Sequence, residues 1–359
     1  MEQRRFVGID LGKRTYEIKI IGSNGRVTGT NGLTSPKGRK ELYKRLLSTD
    51  RIAIEVCSLS MVMAKEIHKE VGCEVVLLNP SQIALIYRSV KKNDKEDALK
   101  LARLVQKFTD EELPKVELPS EHEENIRHIL TEFRQLRHDR TKEINRLHAL
   151  FLEGGITEIK KKDLARDSSR KESVKMLKGL FLMQAERIIK RLEIIDGQTE
   201  EIEKLLDREI DGDKNIERLT EIPGVGKQLA SAYVAFIGDG SRYSNVSAIG
   251  AATGLVPRLD MSSTVCRLGH ITKCGNRHLR SLLILAAWSH IRYSGESALK
   301  EKYLYMTKVL SKGKKIAIVA TARKLAELMY TILKNDTPYE KRISPAFSTR
   351  KLADEAVAS

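Results

Sequence analysis

Phe6-Val7-Gly8-Ile9-Asp10-Leu11-Gly12 reads as a short apolar strand that delivers a single carboxylate, with a glycine on either side of it. Phe6, Val7 and Ile9 are β-formers, and no polar side chain interrupts them before Asp10, the pattern of a buried strand. An aspartate at the end of such a strand is costly to bury unless something cationic meets it. The reading of the chain therefore turns on which other carboxylates gather round Asp10, and what they would hold.

Outward from that strand, Thr15–Ile21 and Arg26–Gly32 complete an antiparallel meander, with Gly22-Ser23-Asn24-Gly25 as a turn. A helix follows over about 36–48, then a fourth strand, Arg51–Val56, which carries Glu55. A helix near 59–71, a fifth strand Cys73–Leu78, a helix near 81–89 and a helix from Lys95 to Phe108 complete the region. The order βββαβαβα is that of an α/β RNase H-like fold, in which the first and fourth strands are neighbours. Asp94 and Asp97 are three residues apart, so they project from one face of the last helix at its start. Four acids could thus converge.

Each acid also has a plainer role to weigh. Asp94 suits an N-cap and Asp97 a first turn favoured by the helix dipole. Asp10 alone would suit the phosphate loop of an actin or sugar-kinase relative, but that class needs a second phosphate loop and an adenosine motif, and neither occurs. Glu55 is hardest to dismiss, because an ionised carboxylate between Ile54 and Val56 needs a partner. As a set, Asp10, Glu55, Asp94 and Asp97 favour hard divalent cations, Mg²⁺ or Mn²⁺, since clustered carboxylates repel until a cation sits between them.

The chain has 359 residues, 31% of them charged and 5% aromatic, with a formal charge of +16. By segment the net charge is +7 over residues 1–115, −1 over 116–210 and +10 over 211–359. Two basic lobes on a balanced connector suit a polyanion gripped at two places, above all nucleic acid. No apolar run is long enough for a membrane span and the first residues carry no signal-peptide pattern, so a cytoplasmic location and no membrane partner are expected. Cys57, Cys73, Cys266 and Cys274 form no CxxC pair. Cys266, His270, Cys274 and His278 recur every fourth residue, but Gly269 and Gly275 interrupt any single helix and the spacing fits no common zinc motif.

Residues 1–115 are thus read as a metal-dependent domain, 116–210 as a helical coiled-coil linker, 211–335 as a mainly α-helical C-terminal domain and 336–359 as a tail. Positions 181, 185, 188, 192, 195, 199, 202 and 206 step alternately by four and three, a heptad seam. An earlier helix over 123–152 could pair with it within one chain or between chains. That helix also bears a basic stripe, Arg134, Arg137, Arg140 and Lys142, which reads as a solvated face first and a nucleic-acid contact second.

Ile222-Pro-Gly-Val-Gly226 ahead of a helix resembles a helix-hairpin-helix, whose glycine turn exposes backbone N–H groups to a DNA phosphate. Gly224, Gly226 and Lys227 are its candidate contacts. Further on, Ser262, Ser263 and Thr264 form a hydroxyl-rich loop with Arg258, Arg267, Lys273, Arg277 and Arg280 around it. Guanidinium groups beside a serine would bind phosphates and stabilise charge at a phosphoryl centre.

Taken together, G-I-D-L-G-K, A-I-E-V, K-N-D-K-E-D-A, the P-G-V-G hairpin and G-L-V-P-R…S…R-L-G-H-I-T-K-x-G-N-R-x-L-R resemble the DEDD-type insertion-sequence transposases, the bridge-RNA-guided recombinases. The likeness runs over about residues 5–335. It implies an N-terminal RuvC-like domain holding divalent metal through Asp10, Glu55, Asp94 and Asp97, and a C-terminal serine transposase domain. It further implies double-stranded donor and target DNA, a noncoding guide (bridge) RNA and a homo-oligomer, dimer to tetramer, in which serine and carboxylates meet across protomers. The family's nucleophile lies seven residues before the glycine of G-x-I-[ST]-K, here Gly269, which selects Ser262. The family commonly has glycine after that serine, and Ser263 here makes a second candidate. Two other readings stand beside this one: a RuvC-like Holliday-junction resolvase or nuclease using only the carboxylates, and a non-enzymatic nucleic-acid-binding protein.

Overall fold

The computed structural model describes residues 4–80, 82–83, 94–243, 245–262 and 265–340, with the side chains of 259–268 outside the description. The expected helix near 81–89 lies mostly outside the described residues, as do Ser263 and most of the tail. The chain divides into two compact units, Met1–Leu118 and Pro119–Ser359.

In the first unit, β1 (Phe6–Leu11), β2 (Thr15–Ile21), β3 (Val27–Leu33), β4 (Arg51–Glu55) and β5 (Glu74–Leu78) form one sheet in the order β3-β2-β1-β4-β5. β1 runs antiparallel to β2 and parallel to β4. This is the mixed sheet of an RNase H-like fold, with the opening strand at its centre. Alternation sorts the side chains. Val7, Ile9, Tyr16, Ile18, Ile52 and Ile54 share one face and pack on α1 (Pro36–Tyr43) and α2 (Ser60–Glu70) through Leu42, Met63 and Ile67. On the other face, Ala53, Val76 and Leu78 meet Leu101, Leu104 and Val105 of α3 (Asp94–Lys107).

Helix α3 crosses β1 at Gly8. A Cβ added there would lie 1.9 Å from the Ala98 carbonyl oxygen and 2.4 Å from the Ala102 nitrogen, so only glycine lets the helix sit this low. Gly8 and Asp10 are two apart, and the aspartate therefore lies on the same face as α3. The far end of the helix is held by Arg51, only 8% exposed, whose Nη1 donates to the carbonyls of Val105 at 3.0 Å and Phe108 at 3.3 Å. A cation at a helix C-terminus satisfies carbonyls the helix cannot.

In the second unit, α4 (Glu121–Glu153) starts on a capping box between Ser120 and Glu123. After a short α5 (Asp167–Val174), α6 (Gly179–Glu209) returns along it. Leu147, Leu150 and Phe151 meet Ala185, Ile188 and Leu192 at one end, and Ile126, Ile129 and Phe133 share a core with Ile202 and Leu206 at the other. The pair is therefore antiparallel within one chain. Between the two apolar ends, Ile195 and Thr199 are only half-buried. There Arg140 reaches Asp196 at 2.5 Å, and the fully buried Arg170 reaches the same carboxylate at 2.8 Å.

The remaining elements are α7 (Lys214–Thr220), α8 (Lys227–Ile237), α9 (Val246–Ala252), the hairpin β6 (Pro257–Ser262) and β7 (Val265–Ile271), α10 (Arg277–Tyr293), α11 (Ala298–Leu304), a π-helical turn at Tyr305–Val309, and α12 (Lys314–Lys334). Their core runs through Leu219, Leu229, Tyr233, Leu283, Leu325 and Met329, and it also takes in the first turns of α4. Among the described residues, no helix is long and apolar enough to cross a membrane.

Candidate active site

The parallel register Ile9 to Ile54 places Asp10 level with Glu55 on the neighbouring strand. Both side chains emerge on the α3 face, and Asp94 and Asp97 stand in the first turn of that helix. The effect is visible on Asp10: burial, then the charges of Asp94, Asp97 and Glu55, push its carboxyl up to about 6, against a smaller opposing hydrogen bond from the Leu11 backbone. All three other acids therefore act on Asp10. Asp94 is exposed and Asp97 half-buried. A cleft of about 490 Å³ opens beside them, lined by Asp10, Thr15, Glu17, Asn31, Asp94 and Lys95.

Two side chains at this site escaped the sequence reading. Glu17 is the cross-strand partner of Asp10, is 8% exposed and pairs with Lys19 at 3.1 Å. Its signal lay in the meander, because antiparallel pairing directly across from Asp10 must bring a side chain to the same face. Lys100, one turn beyond Asp97, holds that carboxylate at 2.5 Å and lies at the i+3 position that favours such a pair.

Among the described residues, no group of three or more acidic, histidine or cysteine side chains stands close enough together to hold a metal ion. The donor chemistry nonetheless fits a hard divalent cation. All four side chains offer oxygen, and the raised Asp10 carboxyl marks negative charge that its surroundings leave undercompensated.

In the second unit, Ser262 ends β6 in register with Val265, at the tip of the β6–β7 hairpin. Of the expected loop Ser262–Thr264, Ser262 closes β6, while Ser263 and Thr264 lie outside the described residues; the strands Pro257–Ser262 and Val265–Ile271 pair on either side. Arg258 is exposed on β6, Arg267 lies on β7, and Lys273 and Arg277 are exposed beyond it. Arg280 differs from these. It is 8% exposed and its Nη1 donates to the carbonyls of Thr253 at 3.1 Å and Cys274 at 2.8 Å. That guanidinium ties together the two ends of the segment that carries the hairpin.

The glycine turn before α8 is seated on α10. Gly224 has φ +89°, and a Cβ there would meet the His290 nitrogen at 2.7 Å. His290 is fully buried; its Nδ1 bonds the Pro223 carbonyl at 2.6 Å and its Nε2 lies 2.8 Å from Ser297 Oγ. Since the carbonyl can only accept, Nδ1 carries the hydrogen and Nε2 accepts from the hydroxyl. Burial lowers the basicity of the ring and so keeps it neutral. The sequence signal for His290 was its place on the buried stripe Leu279, Leu283, Ala286, His290. Gly224, Gly226 and Lys227 are exposed, and Lys227 pairs with Asp207 at 2.6 Å.

Comparison with known proteins agrees with both units. Residues 7–154 match the DEDD transposase model of the IS110 group, and residues 216–304 match the model described as "Transposase IS116/IS110/IS902 family". The first span holds the four acids and the second the glycine turn and Ser262. The transposase for insertion sequence element IS1328 of Yersinia enterocolitica is 26% identical, covering 93% of this chain and 98% of the relative. The transposase for IS1111A of Coxiella burnetii is 24% identical over 94% of this chain and 92% of its own length. A pilin gene-inverting protein of Moraxella bovis is 25% identical over 95% and 99%.

Proposed function

The chain belongs to the IS110-family transposases and is a DNA transposase/recombinase; on that premise we propose that it cuts and rejoins donor and target DNA under guidance of a noncoding bridge RNA, with Ser262 as nucleophile. The observation that carries the catalytic half is the strand register that sets Asp10 level with Glu55, together with the effect of Glu55, Asp94 and Asp97 on Asp10, since three acids gathered round one half-buried carboxyl are a poor structural device and suit a cation. Asp10, Glu55, Asp94 and Asp97 would hold Mg²⁺ or Mn²⁺, which when bound neutralises charge on a phosphate and on the oxygen leaving it.

The protein's own groups do the rest. The Ser262 hydroxyl attacks a DNA phosphodiester, so an Oγ–P bond forms as one P–O bond to deoxyribose breaks. The serine proton is passed on and the departing deoxyribose oxygen ends protonated. One diester replaces another, and a second DNA hydroxyl can reverse the exchange to join a new partner without an energy source. Arg258, Arg267, Lys273 and Arg277 would bind flanking phosphates, and the glycine turn with Lys227 a further one. Arg280 acts in this scheme by holding the hairpin in place. Ser263 stands as the second candidate nucleophile.

Assembly between chains is part of the proposal. On α6, Leu180 is 74% exposed, Met183 51%, Ile194 61% and Leu205 44%. The last three are spaced by eleven residues, three helical turns, so they share one outward stripe. Such a stripe suits coiled-coil contact with a second copy, through which the serine of one protomer could serve the carboxylates of another.

The test is covalent capture. Incubated with guide RNA, divalent metal and DNA, the wild-type chain is expected to leave a protein–DNA adduct that Ser262→Ala abolishes together with strand joining. Adduct loss in Ser263→Ala alone would transfer the role to Ser263. Cleavage without any adduct, unchanged in both variants, would favour the metal-dependent nuclease reading.

A further inference from the structure

The basic stripe on α4 is not uniform. Arg140 is closed off, with Nε on Asp196 at 2.5 Å and Nη2 on the Ala165 carbonyl at 2.7 Å. Arg170 and Arg191, on the neighbouring helices, likewise meet carboxylates, at 2.8 Å from Asp196 and 3.0 Å from Glu143. Arg134 and Arg137 are exposed, and among the described residues neither meets a carboxylate. Arg137 lies over the Phe133 ring, 5.3 Å from its centroid, with Nη1 3.5 Å from Gln228 Oε1. Gln228 is the second residue of α8, whose N-cap, Gly226, places no side chain on the free N–H groups.

A third element joins them. Arg134 and Arg137 both add to the lowering of His278 basicity that burial begins, so both lie near the first turn of α10. The preceding residue, Arg277, is exposed and among the described residues meets no carboxylate. Arg137 of α4 thus meets the open start of α8 through Gln228, and Arg134 and Arg137 lie close to His278, the neighbour of Arg277, while Lys227 is tied to Asp207. Unpaired like charges repel, and a face that keeps them together is built for an anion brought from outside.

We propose that Arg134, Arg137 and Arg277, with Gln228 at the start of α8, form a face that grips the phosphodiester backbone of a nucleic acid. This rests on the transposase reading, which makes nucleic acid the substrate. Guanidinium forks match phosphate oxygens in pairs, and stacking on Phe133 fixes the plane of one fork. The face reads backbone and not base.

The test compares the wild-type full chain with Arg134→Ala/Arg137→Ala, titrating a 30-base-pair duplex DNA and a structured RNA of similar length over a range of salt concentrations. Arg187→Ala/Lys190→Ala, which removes the same charge from exposed positions on α6, is the control. The melting temperature of each variant checks folding. Two lost phosphate contacts should flatten the slope of log K against log salt by about 1.8 on duplex DNA, at about 0.9 per phosphate. Flattening on DNA alone assigns the face to DNA and on RNA alone to the guide, and either supports it. Arg134→Lys/Arg137→Lys should recover most of the slope. A slope unchanged on both probes, or flattened equally in the control, overturns this face alone. A wild-type chain that binds neither probe overturns both this face and the transposase reading.

Discussion

Replacing Asp10 with asparagine should make the metal-free protein more stable at neutral pH, the reverse of what deletion of a buried polar contact usually does. Burial and the three neighbouring acids push the Asp10 carboxyl from 3.8 to about 6; a two-unit rise would be worth roughly 3 kcal/mol at about 1.4 kcal/mol per unit, and solvent screening of this half-exposed group cuts it to about 1–2 kcal/mol. Because the folded state binds this proton more tightly than the unfolded chain, the two are equal below pH 4. Stability then falls as pH rises from about 4 to about 6, and the full penalty is in place above that. In EDTA, Asp10→Asn should therefore gain roughly 1–2 kcal/mol over wild type at pH 7.5 and about half of that at pH 5, read from urea unfolding followed by a probe in residues 1–118. Added Mg²⁺ or Mn²⁺ should reverse the ranking, since ligand binding stabilises only the chain that can hold it. If Asp10→Asn were destabilising in EDTA at pH 7.5, Asp10 would be a structural ion-pair partner, and the argument for a cation site would fail.

Gly8→Ala places a Cβ 1.9 Å from the Ala98 carbonyl oxygen; it should cost about 3 kcal/mol or more through displacement of α3, with loss of divalent-metal stabilisation in the same urea-unfolding experiment. Arg280→Ala should cost about 2–3 kcal/mol by stripping charged donors from the Thr253 and Cys274 carbonyls, yet leave the salt slope of nucleic-acid binding unchanged when measured below its lowered melting temperature. His290 is held neutral below its ordinary basicity by burial, so the unfolded chain takes up a proton that the folded one refuses. Stability should accordingly decline as pH falls below about 6.5, and His290→Gln should flatten that part of the pH–stability curve.

The four acids were legible because strand alternation and helical spacing are local rules: Asp10 and Glu55 end apolar strands, and Asp94 and Asp97 share a helical face. The seam on α6 was legible for the same reason, and Ala185, Ile188, Leu192, Ile202 and Leu206 are its buried members. Its softer middle was not, because Asp196 collects arginines from positions 140 and 170 that only the folded chain brings together. The basic stripe shows the same limit. Arg134, Arg137 and Arg140 have equivalent spacing, but one is consumed by an acid 56 residues away while two stay open. Glu17 depended on strand register, and Arg280 on a crossing of two backbone segments, neither of which a linear pattern carries.

Helix α3 sits low on the sheet where Ala98 rests on Gly8, and Arg51 grips its distal carbonyls. It behaves as a lever on a fulcrum. Asp94 lies four residues to one side of Ala98 and Val105 seven to the other, arms of about 6 and 10 Å at 1.5 Å per residue. A 1 Å wobble at the distal end thus reaches Asp94 as roughly 0.6 Å, and Asp97, beside the pivot, hardly at all. Changes around Arg51, far from any chemistry, would be felt as altered spacing between Asp94 and Asp10, geared down by the unequal arms.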